Sequence, residues 1–131
     1  MENLAIQATI SSPQVQGDAA QGLLCLSGES YPENTFDFFK PILAWATGFL
    51  ARDRAPLTLE LRLAYLNTSS IKCLMDLLDD LEEAHQAGRS IVVKWFYDAE
   101  NDRALDLAEE FKEDLTLPFE IIAFESGAET P

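Results

Sequence analysis

The stretch LTLELRLAYLNTSSIKCLMDLLDDLEEAHQAG, Leu57 to Gly88, decides the architecture. Its first ten residues alternate. Leu57, Leu59, Leu61, Leu63 and Tyr65 fall on one side and Thr58, Glu60, Arg62 and Ala64 on the other, the period of a strand with one buried and one wetter face. Within three residues the period changes. Ile71, Leu74, Leu78 and Leu81 recur at helical spacing, widened by Met75 and Leu77, while Lys72, Asp76, Asp79, Asp80 and Glu83 take the opposite side. Gly88 supplies a C-terminal stop. At the junction Asn67 is a good N-cap, and Thr68–Ser70 fill the first helical turn.

The same switching continues on both sides. Upstream, Gly22–Gly28 (GLLCLSG) reads as a strand and Ala5–Ile10 as an earlier one. Asn34 to Ala51 reads as a helix through Phe36, Phe39, Leu43, Ala46 and Leu50, with Pro41 predicting a kink or a late start. Downstream, Ile91–Tyr97 (IVVKWFY) is a strand, Ala99–Leu115 returns to helix through Ala104, Leu105, Ala108 and Phe111, and Pro118–Phe124 is a last strand. Strands alternating with helices imply right-handed βαβ crossovers. The fold class is therefore α/β: a mixed, mostly parallel sheet with helices mainly on one face, an antiparallel edge from the N-terminal strands, one domain over residues 1–126, and a loose tail over 127–131.

Composition narrows the function. The 131 residues are 47% hydrophobic and 10% aromatic, enough for a real core. The net charge is −14, which repels phosphate backbones and anionic headgroups, so neither nucleic acid nor a membrane surface is expected as partner. No apolar run has the length of a membrane span, and the N-terminal MENLAIQATI lacks the pattern of a signal peptide. Cys25 and Cys73 form no CxxC and read as two buried free thiols of a cytoplasmic protein. Two Cys and one His cannot build a structural zinc site, so no metal and no cofactor is expected. Lys72–Gly88 and Asp98–Asp114 together carry −10 of the charge. They read as two solvated helix faces, or as a surface that steers toward a basic partner.

Most catalytic signatures are missing. There is no GxGxxG, no GxxxxGK[ST] and no GxSxG. The sole histidine, His85, lies on the apolar side near a helix end. Glu82 and His85 make one Glu-x-x-His pair, whereas a di-iron site needs two pairs and two more Glu on a bundle. A receiver domain is excluded as well: the strand Leu57–Leu66 ends in Asn67-Thr68, and no acidic pair follows Gly22–Gly28.

What remains is Leu66–Ser70 at the carboxyl end of a strand, where α/β sheets keep their sites. Its polar residues read as a helix cap. Yet three successive hydroxyls exceed what one cap requires, and a first helical turn is where a phosphate is best tolerated.

SYPENTF (Ser30–Phe36) and LRLAYLNTSSIKCLMDLLDDLEEAHQAG (Leu61–Gly88), followed by VKWFYDAENDRALDLAEEFKED (Val93–Asp114) and PFEI (Pro118–Ile121), closely resemble the SiaC family of biofilm-regulation phosphoproteins over nearly the whole chain. The resemblance implies a STAS-like fold, of the anti-sigma-factor-antagonist type. It also implies phosphorylation at Thr68 by a dedicated kinase, reversal by a PP2C-type phosphatase, and an unphosphorylated form that binds and activates a diguanylate cyclase. Phosphorylation would then release the partner. On this basis Tyr31, Pro32, Glu33, Asn34, Asn67, Thr68, Ser69 and Ser70 are expected to form one partner-binding patch, with Asn67 or Thr68 capping the helix and the Thr68 hydroxyl open to solvent.

The helix Asn34–Ala51 carries more aromatic surface than one buried stripe needs. Its surplus, Phe38 or Trp45, either faces a partner or is buried by the N-terminal segment. The rival to a non-enzymatic switch is a small enzyme using Tyr31, Glu33 and Thr68, with Glu33 as base and Thr68 as nucleophile.

Overall fold

The computed structural model describes residues 1–52 and 54–125. The chain order is β1 (Leu4–Ile6), β2 (Gln14–Asp18), β3 (Leu23–Ser30), α1 (Thr35–Arg52), β4 (Leu57–Leu66), α2 (Thr68–Gln86), β5 (Ile91–Asp98), α3 (Asp102–Glu113) and β6 (Phe119–Phe124). The six strands form one sheet in the order β1-β2-β3-β4-β5-β6, antiparallel from β1 to β3 and parallel from β3 to β6. A sequential order with right-handed crossovers puts every helix on the same side. The core agrees: Leu24 and Leu26, Leu59, Leu61 and Leu63, and Val93 and Trp95 join Phe39 and Phe49 of α1, Leu74 and Leu81 of α2, and Phe111 of α3 in one buried cluster. The other sheet face, with Cys25, Thr58, Glu60, Arg62, Lys94 and Phe96, is half-exposed or exposed. There Arg62 lies over the Phe96 ring at 3.9 Å.

Several expectations need correction. The predicted strand Ala5–Ile10 is the shorter Leu4–Ile6, and β2 carries no strand signal in the sequence because, of its five residues QVQGD, only Val15 is a large apolar side chain. Gly17 is required there: a Cβ would sit 2.7 Å from the Trp45 ring. Helix α1 runs unbroken through Pro41 rather than starting late. Pro41 lies on the exposed side of α1, where water can replace the hydrogen bond it forgoes. Cys73 is buried, but Cys25 points to the helix-free face of β3 and is only half-buried. Burial pushes both thiols up; the Glu60 carboxylate adds to this at Cys25, and Arg62 opposes it. On α2 Ile71 is half-buried and Met75 exposed, because the sheet covers a narrower stripe than the apolar spacing suggested. The tail over 127–131 lies outside the described residues.

Glu82 has a structural task. One carboxylate oxygen accepts hydrogen bonds from the Thr116 and Leu117 backbone N–H groups at 2.8 and 3.0 Å, and the other from the Thr116 hydroxyl at 2.6 Å and Gln86 Nε2 at 2.8 Å. The Thr116 hydroxyl bond is the main reason its pKa falls to about 2, with the backbone bonds adding to it. This carboxylate ties α2 to the α3–β6 turn. A lowered folded-state pKa means the stabilisation is complete above the unfolded value, about 4.3. It is lost as pH drops through about 2. Glu82→Gln is therefore expected to melt below the wild type at pH 7, with the gap closing between roughly pH 4.5 and 2. Calorimetric melts across that range check this, and a gap independent of pH would refute it. Among the described residues no cluster of three or more His, Cys, Asp or Glu side chains is arranged to hold a metal ion.

Candidate functional site

Strands β3 and β4 are parallel, and Ser30 pairs with Leu66 at their carboxyl ends. Both strand-to-helix junctions therefore open on one edge of the sheet. Two bonds latch them: Asn67 N–H donates to the Ser30 carbonyl at 2.9 Å, and the Ser30 and Ser70 hydroxyls share a buried hydrogen bond of 2.8 Å. Each junction caps its helix. Asn34 Oδ1 accepts from Asp37 N–H at 3.3 Å at the start of α1, and Asn67 Oδ1 accepts from Ser70 N–H at 2.9 Å at the start of α2. Thr68 is the first residue of α2, and both it and Ser69 are exposed. The segment Tyr31–Asn34 lies beside them, as expected, with Pro32 half-buried and Tyr31, Glu33 and Asn34 exposed.

Ser70 differs. It is fully buried and hydrogen-bonded to Ser30, so its hydroxyl is not part of the exposed surface and instead holds the two junctions together. The three hydroxyls thus separate by burial alone. Ser70→Ala orphans the buried Ser30 hydroxyl and should cost about 1–3 kcal/mol, whereas Ser69→Ala should stay within about 0.5 kcal/mol. The Ser30→Ala/Ser70→Ala pair should cost less than the sum of the two single changes. Denaturant titrations measure all four, and equal effects at Ser69 and Ser70 would contradict the latch.

The clean alternation of β4 fails at its end. Against β3, Leu63 faces Gly28 and Tyr65 faces Glu29, so the ladder skips Ala64. One unpaired residue turns the next side chains over. Leu66 is buried and Tyr65 is 48% exposed, the reverse of the alternating expectation. Gly28 sits opposite this bulge at φ 121°, a conformation that L side chains rarely adopt. The Ala64 carbonyl accepts from Asn101 Nδ2 at 3.1 Å, while Asn101 Oδ1 caps α3. Tyr65 then meets Tyr31 edge to face, with ring centroids 6.0 Å apart.

The aromatic surplus of α1 also falls elsewhere than expected. Trp45 is 7% exposed, stacks on Phe49 and donates its indole N–H to the Glu2 carbonyl at 3.0 Å. Phe38 is half-buried, edge-on to Phe39. The exposed member is Phe36, 64% open in the first turn of α1 although its spacing placed it in the core. Tyr31, Phe36 and Tyr65 are three of the few large hydrophobic side chains left open, and all lie near the two junctions. Of these, Tyr31 and Tyr65 touch, which leaves an open aromatic pair at the edge. The sequence pattern assigns Tyr65 and Phe36 to the core although both stand inside the quoted segments Leu61–Gly88 and Ser30–Phe36.

Tyr31, Glu33 and Thr68 are not among the residues that line the cavity at this edge. That cavity, about 370 Å³, is lined by Tyr65, Leu66, Ile71 and residues of α3. The fold and this edge define a one-domain α/β protein with a polar and aromatic surface at the strand ends. The family model for "SiaC family regulatory phosphoprotein" matches residues 6–124, and the chain belongs to that family. An uncharacterised protein of Pseudomonas aeruginosa (strain UCBPP-PA14) is 52% identical over 123 residues, covering 94% of this chain and 98% of its own length. The crystal structure of apo-SiaC from Pseudomonas aeruginosa is 51% identical with a TM-score of 0.91, covering 94% of this chain and 100% of its own. The SiaC chain in the crystal structure of the diguanylate cyclase SiaD with its activator SiaC is 52% identical with a TM-score of 0.90, covering 92% of this chain and 99% of its own. Among the described residues no helix is long and apolar enough to cross a membrane.

Proposed function

We propose that this chain is a non-enzymatic cytoplasmic phospho-switch whose unphosphorylated form binds and activates a diguanylate cyclase, and so controls cyclic di-GMP and biofilm formation. A partner kinase phosphorylates Thr68 and releases the cyclase; a PP2C-type phosphatase restores binding. The contact patch comprises Tyr31, Pro32, Glu33, Asn34, Asn67, Thr68 and Ser69, with Tyr65 and Phe36 as aromatic anchors. The observation that carries this reading is the exposed Thr68 at the head of α2, beside an edge that leaves Tyr31 and Tyr65 open. An exposed hydroxyl is reachable by a kinase without unfolding. Placed on a docking surface, its phosphate would have to be desolvated for binding to persist. A relative about half identical is the activator in a cyclase complex, which supplies the partner class. The test is to add purified unphosphorylated protein to a diguanylate cyclase from the same source and follow cyclic di-GMP formation. A saturable rise in rate is expected, and no change with any such cyclase would refute the proposal.

A further inference from the structure

The edge that carries Thr68 does not end at the two junctions. A cleft runs down from it, bounded above mainly by the end of β4 and α3 and below by α2 and α3. Its upper part, about 370 Å³, begins at Tyr65, and its lower part, about 180 Å³, continues past Met75. Ile71, Leu107 and Glu110 line both parts, which makes the cleft continuous. Ile71 stands three residues along α2 from Thr68, and Tyr65 is the residue that the β4 bulge turns outward. Leu107 and Ile71 give the cleft apolar walls, while Asp106, Glu110, Asp79 and Asp114 are set along it against one base, Arg103.

We infer that this cleft seats an apolar side chain of the partner that is flanked by Lys or Arg, and that it extends the docking surface from the sheet edge onto α3. The inference rests on the reading of Thr68 as a docking centre and names the chemistry of the partner segment. Charge selects this occupant. An apolar anchor fills the walls, and basic neighbours answer four acids where a single base stands. A second copy of the chain is a poor fit, because at −14 it brings more negative than positive charge to an acidic groove.

The test titrates the cyclase against wild type, Glu110→Lys, Leu107→Trp and Glu120→Lys. Glu120 is exposed on β6, away from the cleft, and controls for net charge. Glu110→Lys should weaken binding about tenfold and flatten its salt dependence, and Leu107→Trp, which fills both parts of the cleft, should weaken it about tenfold or more. Glu120→Lys should stay within about twofold of wild type. Melting curves show whether Leu107→Trp folds; if it does not, Glu110→Lys decides alone. Wild-type binding by Glu110→Lys, or equal losses for Glu110→Lys and Glu120→Lys, would overturn the inference. So would self-association of the wild type that Glu110→Lys abolishes, which would assign the cleft to a second copy. Phosphorylated Thr68 is titrated in parallel: if it still binds tightly, the switch reading fails, whereas its release with the cleft variants unaffected defeats only the cleft.

Discussion

Phosphorylation of Thr68 is expected to weaken cyclase binding roughly a hundredfold or more while leaving the fold at least as stable. The two effects have different origins. The phosphate adds about −1.5 to −2 charge and three acceptor oxygens. At the first residue of α2 this anion meets free backbone N–H groups and the positive end of the helix, worth about 0.3–1 kcal/mol in favour of folding. At a docking surface the same group must shed its water, and without a paired Arg this costs several kcal/mol. A loss of about 3 kcal/mol is roughly a hundredfold in affinity. Thr68→Ala should fold within about 1 kcal/mol of wild type, since Asn67 and not Thr68 accepts the capping bond, and it should bind the cyclase yet ignore the kinase. Thr68→Glu should melt no lower than wild type and bind more weakly. A folding defect lowers both quantities together, so opposite movements are diagnostic. Calorimetric melting alongside titration reads both. Stoichiometrically phosphorylated protein binding as tightly as the unmodified form would end the proposal.

Trp45→Ala should be among the most damaging single changes in the chain, at about 3–5 kcal/mol. Three contacts converge on this indole. It stacks on Phe49 at 5.7 Å between centroids, its N–H holds the Glu2 carbonyl at 3.0 Å, and its ring packs where only a glycine, Gly17, leaves room. Removing it opens a cavity and also loosens the β1–β2 hairpin, whose own Leu4 and Ile6 are only partly buried. Against a total stability of about 5–15 kcal/mol, the variant should lose tens of degrees or fail to fold near 37 °C. Amide exchange in β1 and β2 should accelerate before that in β4 and β5. A Trp45 that served a partner from the surface would cost little to remove, so a loss below about 1 kcal/mol would contradict the burial described here.

The order of elements was legible because periodicity is local. Alternation in Leu57–Leu66 and helical spacing from Ile71 to Leu81 state which face of each element is apolar, and the crossover rule turns that series into a parallel sheet. The site was legible for a related reason. Each motif follows a strand, and the carboxyl ends of neighbouring parallel strands lie together, so the YPEN and NTSS segments meet if those strands are neighbours; the β3–β4 pairing, which ends at Ser30 and Leu66, meets that condition. Residues 6–124 match the family that these two motifs indicated.

The sequence by itself therefore determined the α/β class and the order of its main elements, and it narrowed the cap of α2 to Asn67 or Thr68; the structure chose Asn67 and made the strands that precede the two motifs neighbours. Tertiary structure alone decided which side chains their shared edge presents. Tyr65 and Leu66 exchange faces because β4 carries one residue more than β3 at Gly28, and a ladder offset is a property of two strands and not of either one. Ser70 leaves the surface because a hydroxyl forty positions away reaches it. Trp45 is covered because the N-terminal strands reach it through the Glu2 carbonyl and Gly17, while Phe36 stays 64% open. Each outcome depends on a partner distant in the chain, and a local pattern carries no record of that distance.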